Sequence, residues 1–464
     1  MGTAPWRSDV PDSYFDDSQH AEKALDRLFH MIRLQWVNAK TEDAILLCEQ
    51  AVQIAQTYGI HQLRKTAVMY LAGYLKNLGR FEEAMQRLER EKITSADALR
   101  IQVNYYYHKG FIYAMRGLAS ESYKNFEKAL DCVKRDKDLY RTATALGDYG
   151  LCAMSLGDTE RGKSLYEQAL LVVRRNHMGW LVPYLCLGYA EILARTGQYD
   201  AAHSYLVEAL ASDAHAALLE ERFVVVGIPI ALYLRDEATL IKCTRPDALE
   251  LAFQSREPAW IGPVTAAFAQ LYALQGHKRR AQIIVHRALE FVTYFDENSD
   301  FVLAIAQYGS QADIARAQVL LEARMQLPSA RVAEACSYLF RAFVHRRMRE
   351  RKEAQQMAAT AAKCFDNLHW YAYGNLARSL IPSARLIAPT STSYGKHLYG
   401  PLQTLTKREQ QVAELVLQGR TNGGIAQQLA IREHTVEKHL SSIMNRLGIR
   451  SRYQLGETLA KQAP

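Results

Sequence analysis

One repeated pattern constrains the fold of this chain more than any other feature of its sequence. The glycines that mark it are Gly79, Gly117, Gly157 and Gly197, the last three spaced forty residues apart. Each is followed by a small residue five positions on, a bulky residue nine positions on and usually Ala twelve positions on. After Gly117 these are Ser122, Phe126 and Ala129. A turn glycine followed by small and bulky residues at helical spacing indicates a hairpin of two closely packed helices.

The same register returns elsewhere, which extends the repeat over most of the chain. It reappears at Gly276 and, weakly, near Arg349. A first copy fits Ala44, Cys48 and Ala51. The interval before Gly276 is close to two periods, so a degenerate copy is expected within it.

Helical hairpins of this kind resemble tetratricopeptide repeats, although the period is longer. The best single copy contains Gly110, Tyr113, Gly117, Phe126 and Ala129. The resemblance implies a right-handed, all-α solenoid with a concave face for a peptide, a protein or a ligand. About nine hairpins are expected over residues 20–381, after an N-terminal extension at residues 1–19.

The C-terminal part of the chain follows a different pattern, that of short helices separated by tight turns. Thr406 is expected to cap a first helix reciprocally with Glu409. Gly419 ends that helix, and a second begins near Asn422. After a turn at Ala430–Ile431, a third helix should lie in the major groove of DNA. The apolar stripes that join the helices are Val412, Leu415 and Val416, then Ile425, Ala426 and Leu429, then Val436, Leu440, Ile443 and Leu447.

This segment resembles the DNA-binding domain of the LuxR (GerE) family. The matching residues are Leu405, Thr406, Arg408, Glu409, Gly419, Asn422, Ile425, Ala426, Leu429, Thr435, Val436, His439, Arg446, Leu447, Gly448, Ile449 and Arg452. The resemblance implies that double-stranded DNA is the partner and that Glu437, Lys438 and Ser441 contact the bases. Backbone contacts or structural supports are implied for Thr406, Arg408, Thr421, Asn422, Thr435, Arg446, Arg450 and Arg452. An ion pair of Arg408 with Glu409, and packing of His439 on the first helix, are the structural alternatives.

The resemblance also sets the domain organisation. The family domain corresponds to residues 402–464, with the helix-turn-helix motif at about 423–442. A fourth helix from Ser451 to Lys461 mediates dimerisation in the family, which implies a homodimer on half-sites about one helical turn apart. Residues 382–401 contain three prolines, two glycines and a Thr-Ser-Thr-Ser run, and are expected to be a flexible linker.

Three departures from the family pattern alter this interpretation. Arg432 replaces the Ser that caps the recognition helix, a loss of about 1 kcal/mol, and becomes a candidate phosphate contact. Gly423 and Gly424 replace long polar residues, at about 1 kcal/mol each in a helix interior. Glu437 stands where Lys is common, and its carboxylate can accept from a cytosine amino group but cannot hold a phosphate.

Charge and composition agree with a DNA-binding chain. Residues 402–464 contain 9 Lys or Arg and 5 Asp or Glu, a balance of +4, within a whole chain of +8. The seven cysteines are scattered and form no C-x-x-C pair, which is typical of buried thiols in a reducing cytosol. The first twenty residues are polar and acidic, and the longest apolar run, Phe223–Leu234, is too short for a bilayer. A cytoplasmic protein without membrane contact is expected.

One segment matches the nucleotide-binding loop, G-x-x-x-x-G-K-[ST]. It runs from Gly157 to Ser164, and Lys163 would reach the phosphates of ATP. Both of its glycines fall at the small positions of the helical repeat, and no buried strand precedes it. The segment is therefore predicted to be a repeat turn, with an ATP-switched regulator as the alternative.

Several further residues are candidates for contact with a ligand or with DNA. The aromatic candidates for an effector pocket are Tyr105, Tyr106, Tyr107, His108, Trp180, Tyr184, Trp260 and Trp370, for which packing in the repeat core is the more common role. The basic stretch Arg346–Lys352 is expected to be a solvated helix end, with proximity to DNA as the alternative. His20, His108 and His177 have no metal-ligand spacing. No catalytic residue, cofactor or metal is expected.

These observations predict a transcriptional regulator that is not an enzyme. The helical repeats are expected to sense an effector or a protein partner and to control the C-terminal helix-turn-helix by a shift in population. Activation is favoured over repression, with RNA polymerase as a possible further partner. A protein-interaction scaffold in which DNA binding is secondary is the second alternative.

Overall fold

A computed structural model gives the structure of the chain, which forms two compact units, Met1–Ala388 and Pro389–Pro464. We call them the repeat unit and the C-terminal unit. The described residues are 18–37, 40–211, 220–245, 247–292, 299–382, 406, 408–409, 411–412, 415, 422–429 and 431–447. Every regular element among them is helical, which confirms the all-α prediction.

The repeat unit consists of consecutive helices joined mostly by short turns. They are α1 (Ser18–Val37), α2 (Thr41–Thr57), α3 (His61–Asn77), α4 (Phe81–Glu89), α5 (Leu99–Met115), α6 (Ala119–Asp136), α7 (Leu139–Ser155), α8 (Thr159–Arg175), α9 (Val182–Arg195), α10 (Tyr199–Leu210), α11 (Glu220–Arg222), α12 (Ile228–Leu234), α13 (Glu237–Cys243), α14 (Ala248–Ser255), α15 (Pro258–Leu274), α16 (Lys278–Phe291), α17 (Ser299–Tyr308), α18 (Gln311–Met325), α19 (Arg331–Arg347), α20 (Arg351–Asn367) and α21 (Tyr371–Arg378). A 3-10 turn, Gly179–Leu181, precedes α9, and a π-helix, Phe223–Gly227, joins α11 to α12.

Successive helices pack as hairpins, in the manner of tetratricopeptide repeats. Nine such hairpins lie within the described residues, which agrees with the predicted number. They are α1–α2, α3–α4, α5–α6, α7–α8, α9–α10, α12–α13, α15–α16, α17–α18 and α19–α20. The first helix of each hairpin packs on that of its neighbour in several cases, for example α5 on α7 and α15 on α17. The predicted solenoid of helical hairpins is thereby confirmed.

The turns within the hairpins explain the spacing of the glycines. The glycines of the repeat, Gly79, Gly117, Gly157, Gly197 and Gly276, adopt φ values between 70° and 84°. This left-handed region is one that residues with a Cβ disfavour. Arg235 and Arg349 occupy the equivalent turns with φ values of 57° and 65°. They mark the degenerate copy before Gly276 and the weak copy near residue 349, which confirms both predictions.

The small residues of the repeat allow the two helices of a hairpin to touch. Phe126 and Tyr166 are fully buried and occupy equivalent positions, forty residues apart. A Cβ at Gly110 would lie 2.9 Å from the Phe126 ring, and one at Gly150 would lie 2.8 Å from the Tyr166 ring. The bulky residue of one helix therefore packs directly on the backbone of the other.

The solenoid winds tightly enough for distant hairpins to touch. Thr41 Oγ1 donates to Glu257 Oε1 over 2.6 Å, across 216 residues. The Arg324 guanidinium donates to the Met115 carbonyl, across 209 residues. Because these separations are nearly equal, one superhelical turn takes about five hairpins of this period, and the next turn stacks on it. The repeat pattern does not predict this stacking, because it contains only nearest-neighbour information.

The cysteines and apolar helices of the described residues agree with the sequence analysis. All seven cysteines are free thiols, and six are buried, as predicted. Within the described ranges, each helix is either too short or too polar to cross a bilayer. The predicted linker, apart from Pro382, lies outside the described residues, as does most of the N-terminal extension.

Within the described residues, the C-terminal unit contains the helices α22 (Asn422–Gln428) and α23 (Glu433–Leu447). Its core consists of Val412, Leu415, Ile425, Ala426, Val436, Leu440 and Ile443, with Leu429 and Ile431 packed against it. All of them except Ile431, a residue of the predicted turn, belong to the three apolar stripes predicted from the sequence. Gly419, Val416 and the predicted fourth helix, Ser451 to Lys461, lie outside the described residues.

Candidate nucleic-acid interface

A reciprocal pair of hydrogen bonds opens the first helical segment of the C-terminal unit. The Thr406 amide donates to Glu409 Oε2 over 2.7 Å. The Glu409 amide donates back to Thr406 Oγ1 over 3.3 Å. This is the predicted capping box, which satisfies two backbone donors at a helix start.

The same carboxylate also joins the first segment to the third helix. Glu409 is 4% exposed, and its Oε1 accepts from Ser442 Oγ over 2.5 Å. A buried carboxylate with several donors is held in one orientation, since each lost hydrogen bond would leave a desolvated charge. Glu409 therefore fixes how α23 is seated. Ser442 is a positioning residue that the sequence analysis missed, because its partner is 33 residues away.

Arg408 supports the end of α22. Its Nη2 donates to the Leu429 carbonyl over 2.6 Å, and its Nη1 donates to Gln411 Oε1 over 2.9 Å. A guanidinium at a helix C-terminus satisfies carbonyls that lack an intrahelical partner. Arg408 is thus a structural support for the end of α22. Its contact with a DNA phosphate stays a prediction.

The third helix presents one face to the core and the opposite face to solvent. Val436, Leu440 and Ile443 are buried, whereas Glu437, Lys438 and Ser441 are exposed. At about 100° per residue, the three exposed side chains fall within one arc of the helix surface. The three predicted base contacts thus share a single outward face. Whether they contact bases stays a prediction.

One more exposed side chain lies on that face. His434 precedes Lys438 by four residues, one helical turn, and is exposed. The family pattern does not include this position, so the sequence does not mark His434 as a contact. His439 is only half-buried, between the two faces.

The start of α23 lacks a capping side chain, as expected from Arg432 in place of the family's Ser. Arg432 is exposed and precedes the first helical residue, and its carbonyl accepts from the Thr435 amide over 2.9 Å. An Arg side chain has no acceptor for the free amides of a first turn, so the cap that Ser would supply is missing. Thr435 is half-buried, and Asn422 is the first residue of α22.

Some predicted contacts cannot be placed in this geometry. Thr421, Arg450 and Arg452 lie outside the described residues. Arg446 lies in α23, but its side chain is outside them too, and Gly423 and Gly424 lie in α22.

The segment that matches a nucleotide loop is a repeat turn. Gly157 joins α7 to α8 with a φ of 82°, and a Cβ there would lie 2.7 Å from Leu368. Lys163 is buried within α8, with its Nζ 3.7 Å from Glu160 Oε1. Residues 139–175 are helix, turn and helix, without the strand that a phosphate loop follows. The prediction that the match is a repeat turn is confirmed.

The aromatic candidates serve different roles in the repeat unit. Trp370 is fully buried, whereas Trp180 is 58% exposed and stacks on Tyr140. The hydroxyls of Tyr107 and Tyr184 donate to the two oxygens of the Asp148 carboxylate, over 3.1 and 2.6 Å.

His108 is enclosed in the repeat unit and uncharged. Burial and the nearby Lys76 ammonium lower its pKa to about 3. Within the part of the chain that the structure describes, no group of three His, Cys, Asp or Glu side chains is arranged to hold a metal ion.

The basic stretch Arg346–Lys352 spans the end of α19, the turn at Arg349 and the start of α20. Arg347 Nη1 donates to the carbonyls of Ala306 and Gly309, over 2.9 and 3.0 Å, and thereby caps the end of α17. The other basic residues of the stretch are exposed. The stretch is a solvated helix end, as predicted.

The C-terminal unit is similar in sequence to a known protein family. Residues 403–457 match the family model of bacterial regulatory proteins, luxR family. Spore germination protein GerE of Bacillus subtilis is 48% identical over 50 residues, which are 11% of this chain and 68% of GerE. Transcriptional regulatory protein DesR of the same organism is 35% identical over 80 residues, which are 17% of this chain and only 39% of DesR.

Solved structures resemble the chain more loosely. The apo form of the quorum sensor NprR from B. thuringiensis has a TM-score of 0.38 and 11% identity, covering 78% of this chain and 98% of that one. Human IFIT1 has a TM-score of 0.31 and 15% identity, covering 85% and 90%. Yeast Tom70 has a TM-score of 0.27 and 12% identity, covering 77% and 96%. Nothing about function follows at these TM-scores.

Proposed function

The chain belongs to the luxR family of bacterial regulatory proteins, and on that premise we propose that it is a sequence-specific DNA-binding transcriptional regulator. The observation that carries the proposal is the outward face of α23. Glu437, Lys438 and Ser441 are exposed there, on a helix whose opposite side is anchored in the core. A rigid helix with a polar outer face is the element that helix-turn-helix proteins insert into the major groove.

The side chains on this face have complementary chemistry for base edges. Lys438 can donate to the O6 and N7 atoms of guanine, and Glu437 can accept from the N4 amino group of cytosine. Ser441 can donate or accept. We assign sequence readout to these three residues and backbone contact to Arg432 and Thr435, at the start of the same helix.

The remaining contacts follow from the family pattern. We propose that Thr421, Asn422, Arg446, Arg450 and Arg452 contact the phosphates and that Thr406 and Arg408 hold the fold that presents them. We further propose a homodimer formed through the segment Ser451 to Lys461, which reads half-sites about one helical turn apart.

The repeat unit is proposed to be the sensor. Binding of an effector or protein partner there would favour the DNA-binding form of the C-terminal unit, provided that the partner has different affinity for the two forms. Activation of transcription in the cytoplasm, with contact to RNA polymerase, is the regulatory output we propose.

A competition experiment tests the DNA-binding proposal. The full chain would be mixed with genomic fragments and an excess of bulk DNA, and shifted complexes would be resolved at several salt concentrations. We expect a subset of fragments to stay bound, and Lys438→Ala to release them while Lys124→Ala, at an exposed residue of α6, does not. Equal competition by every fragment at all salt concentrations would reject the proposal.

A further inference from the structure

The stack of first helices in the repeat unit contains a cavity of about 240 Å³. It is lined by residues of the π-helix before α12, of α12 itself, and of α15, α17, α19 and α21. Four successive hairpins thus contribute to one space. Apolar and polar side chains share its walls, with Val225, Pro263, Leu303 and Phe343 among the apolar ones. A cavity of this size encloses a small organic molecule, since one of about 150 Å³ already admits benzene.

One carboxylate belongs to this lining. Asp300, the second residue of α17, lines the cavity, and its Oδ1 accepts from the Tyr373 hydroxyl over 2.7 Å. Burial raises the pKa of this carboxyl group, although the Tyr373 hydrogen bond and the nearby Arg195 act in the opposite direction. The Arg195 guanidinium itself hydrogen-bonds Glu191 over 2.5 Å. Asp300 is therefore half-buried, with one neutral donor and without an ion pair among the described residues.

Two backbone irregularities lie in the same wall. Val225 belongs to the π-helix Phe223–Gly227, a rare form that is frequent at functional sites. Pro263 lies inside α15, where it removes one helical hydrogen bond. Irregular helices cost stability, and here both of them shape the cavity next to the unpaired carboxylate.

We propose that this cavity binds a small organic cation, namely a primary ammonium group on a compact apolar body, with the ammonium paired to Asp300. The ammonium forms the ion pair that Asp300 makes with none of the described residues, and the side-chain oxygens of Gln270 and Gln307 in the same lining can accept its remaining hydrogens. The apolar body fills the space between Leu303 and Phe343.

Arg346 sets a limit on the ligand. It contributes to the same lining and is exposed. A second positive charge on the ligand would meet this guanidinium, so monoamines are favoured over diamines. The role of this ligand as the signal of the sensor rests on the proposed function, whereas its binding to the cavity does not.

Calorimetric titration of the full chain tests the inference. The probes are 2-phenylethylamine, its neutral counterpart 2-phenylethanol, and 1,4-diaminobutane. We expect the monoamine to bind at least about tenfold more tightly than either of the others, because a charge-assisted contact replaces a neutral one. Equal binding of the alcohol, or binding of no monoamine from a panel of similar size, would overturn the proposal.

Two variants locate the site. Asp300→Asn keeps an acceptor for Tyr373 and should abolish the preference for the amine. Ala267→Met fills the cavity and should abolish binding of all probes, which keeps the test decisive if the first variant unfolds. Glu250→Gln, at an exposed carboxylate, is the matched control and should bind as the parent does. Unchanged amine binding by both cavity variants would contradict the inference.

DNA binding, measured separately on the same full-length samples, distinguishes the two proposals. Amine binding without any sequence-specific DNA binding rejects the regulator and leaves the cavity site in place. Specific DNA binding without amine binding rejects the cavity site alone.

Discussion

The indole Nε1 of Trp370 donates a hydrogen bond to Oγ1 of Thr159, 211 residues earlier in the chain, over 3.1 Å. The same threonine hydroxyl donates to the Leu368 carbonyl over 2.5 Å. All three residues are buried, and the Arg195 guanidinium lies 5.0 Å from the Trp370 ring centre. One small side chain therefore joins successive superhelical turns. Because of such contacts, the repeat unit should unfold more cooperatively than a solenoid in which only neighbours touch.

Replacing that threonine measures the strength of this connection. Thr159→Val leaves the Trp370 indole and the Leu368 carbonyl without a partner, and we expect it to lower the free energy of unfolding by about 1–3 kcal/mol. Thr57→Val is the control, since Thr57 is exposed and bonds only within its own helix. Urea unfolding of the full chain checks both. A Thr159→Val curve that overlays the Thr57→Val curve would show that the turns are not joined here.

Two turn glycines separate backbone strain from packing between the superhelical turns. Gly157 and Gly276 have nearly the same φ, 82° and 84°. A Cβ at Gly276 meets nothing within 4 Å, whereas one at Gly157 would lie 2.7 Å from Leu368 Cδ2. Gly276→Ala should therefore destabilise by about 1 kcal/mol, through strain alone. Gly157→Ala should cost about 1–3 kcal/mol more, through overpacking. Thermal unfolding of the two variants tests the difference, and equal losses would argue against close stacking at Gly157.

Asp300 predicts a pH-dependent effect. Burial raises the pKa of its carboxyl group above the ordinary value of an aspartate. As the pH rises through this region, the unfolded chain releases the proton first, so ionisation of Asp300 progressively favours the unfolded state until the folded carboxyl ionises too. Asp300→Asn removes this effect. Without ligand, the free energy of unfolding of Asp300→Asn minus that of the parent should be larger at pH 7.5 than at pH 4. The same difference for Glu250→Gln should not increase. Urea unfolding at both pH values measures this, and an unchanged difference would contradict the expectation.

The hydrogen bonds of Glu409 should control the local stability of the C-terminal unit. Glu409→Ala leaves the Thr406 amide and the Ser442 hydroxyl without their acceptor, at a cost of about 1–3 kcal/mol. Hydrogen exchange on the full chain should show loss of protection in α22 and α23, with the repeat unit unchanged. Glu437→Ala, on the exposed face of α23, should leave the protection intact. Equal protection in the two variants would mean that the carboxylate does not hold α23 in place.

Local patterns in the sequence were sufficient to predict the hairpins and the helix-turn-helix. The turn glycines, the Thr406–Glu409 cap and the apolar stripes involve residues within a few positions of one another, and each is found as predicted. What could not be predicted depends on distant residues. The Thr159–Trp370 bond spans more than five periods of the repeat, and Asp300 meets Tyr373 across 73 residues. One sequence without such pairing information gives no sign of either.

The measurement that tests the central claim most directly is selection of bound duplexes from a randomised pool. The full-length parent, Glu437→Gln and a matched control in the repeat unit, Glu250→Gln, would be compared at the same salt concentration. We predict that the parent and the control enrich the same sequence, and that Glu437→Gln loses the preference at one base pair of each half-site, since its carboxylate no longer accepts from cytosine. Enrichment of no sequence by the parent, or of an identical sequence by Glu437→Gln, would contradict the assignment of base readout to the outward face of α23.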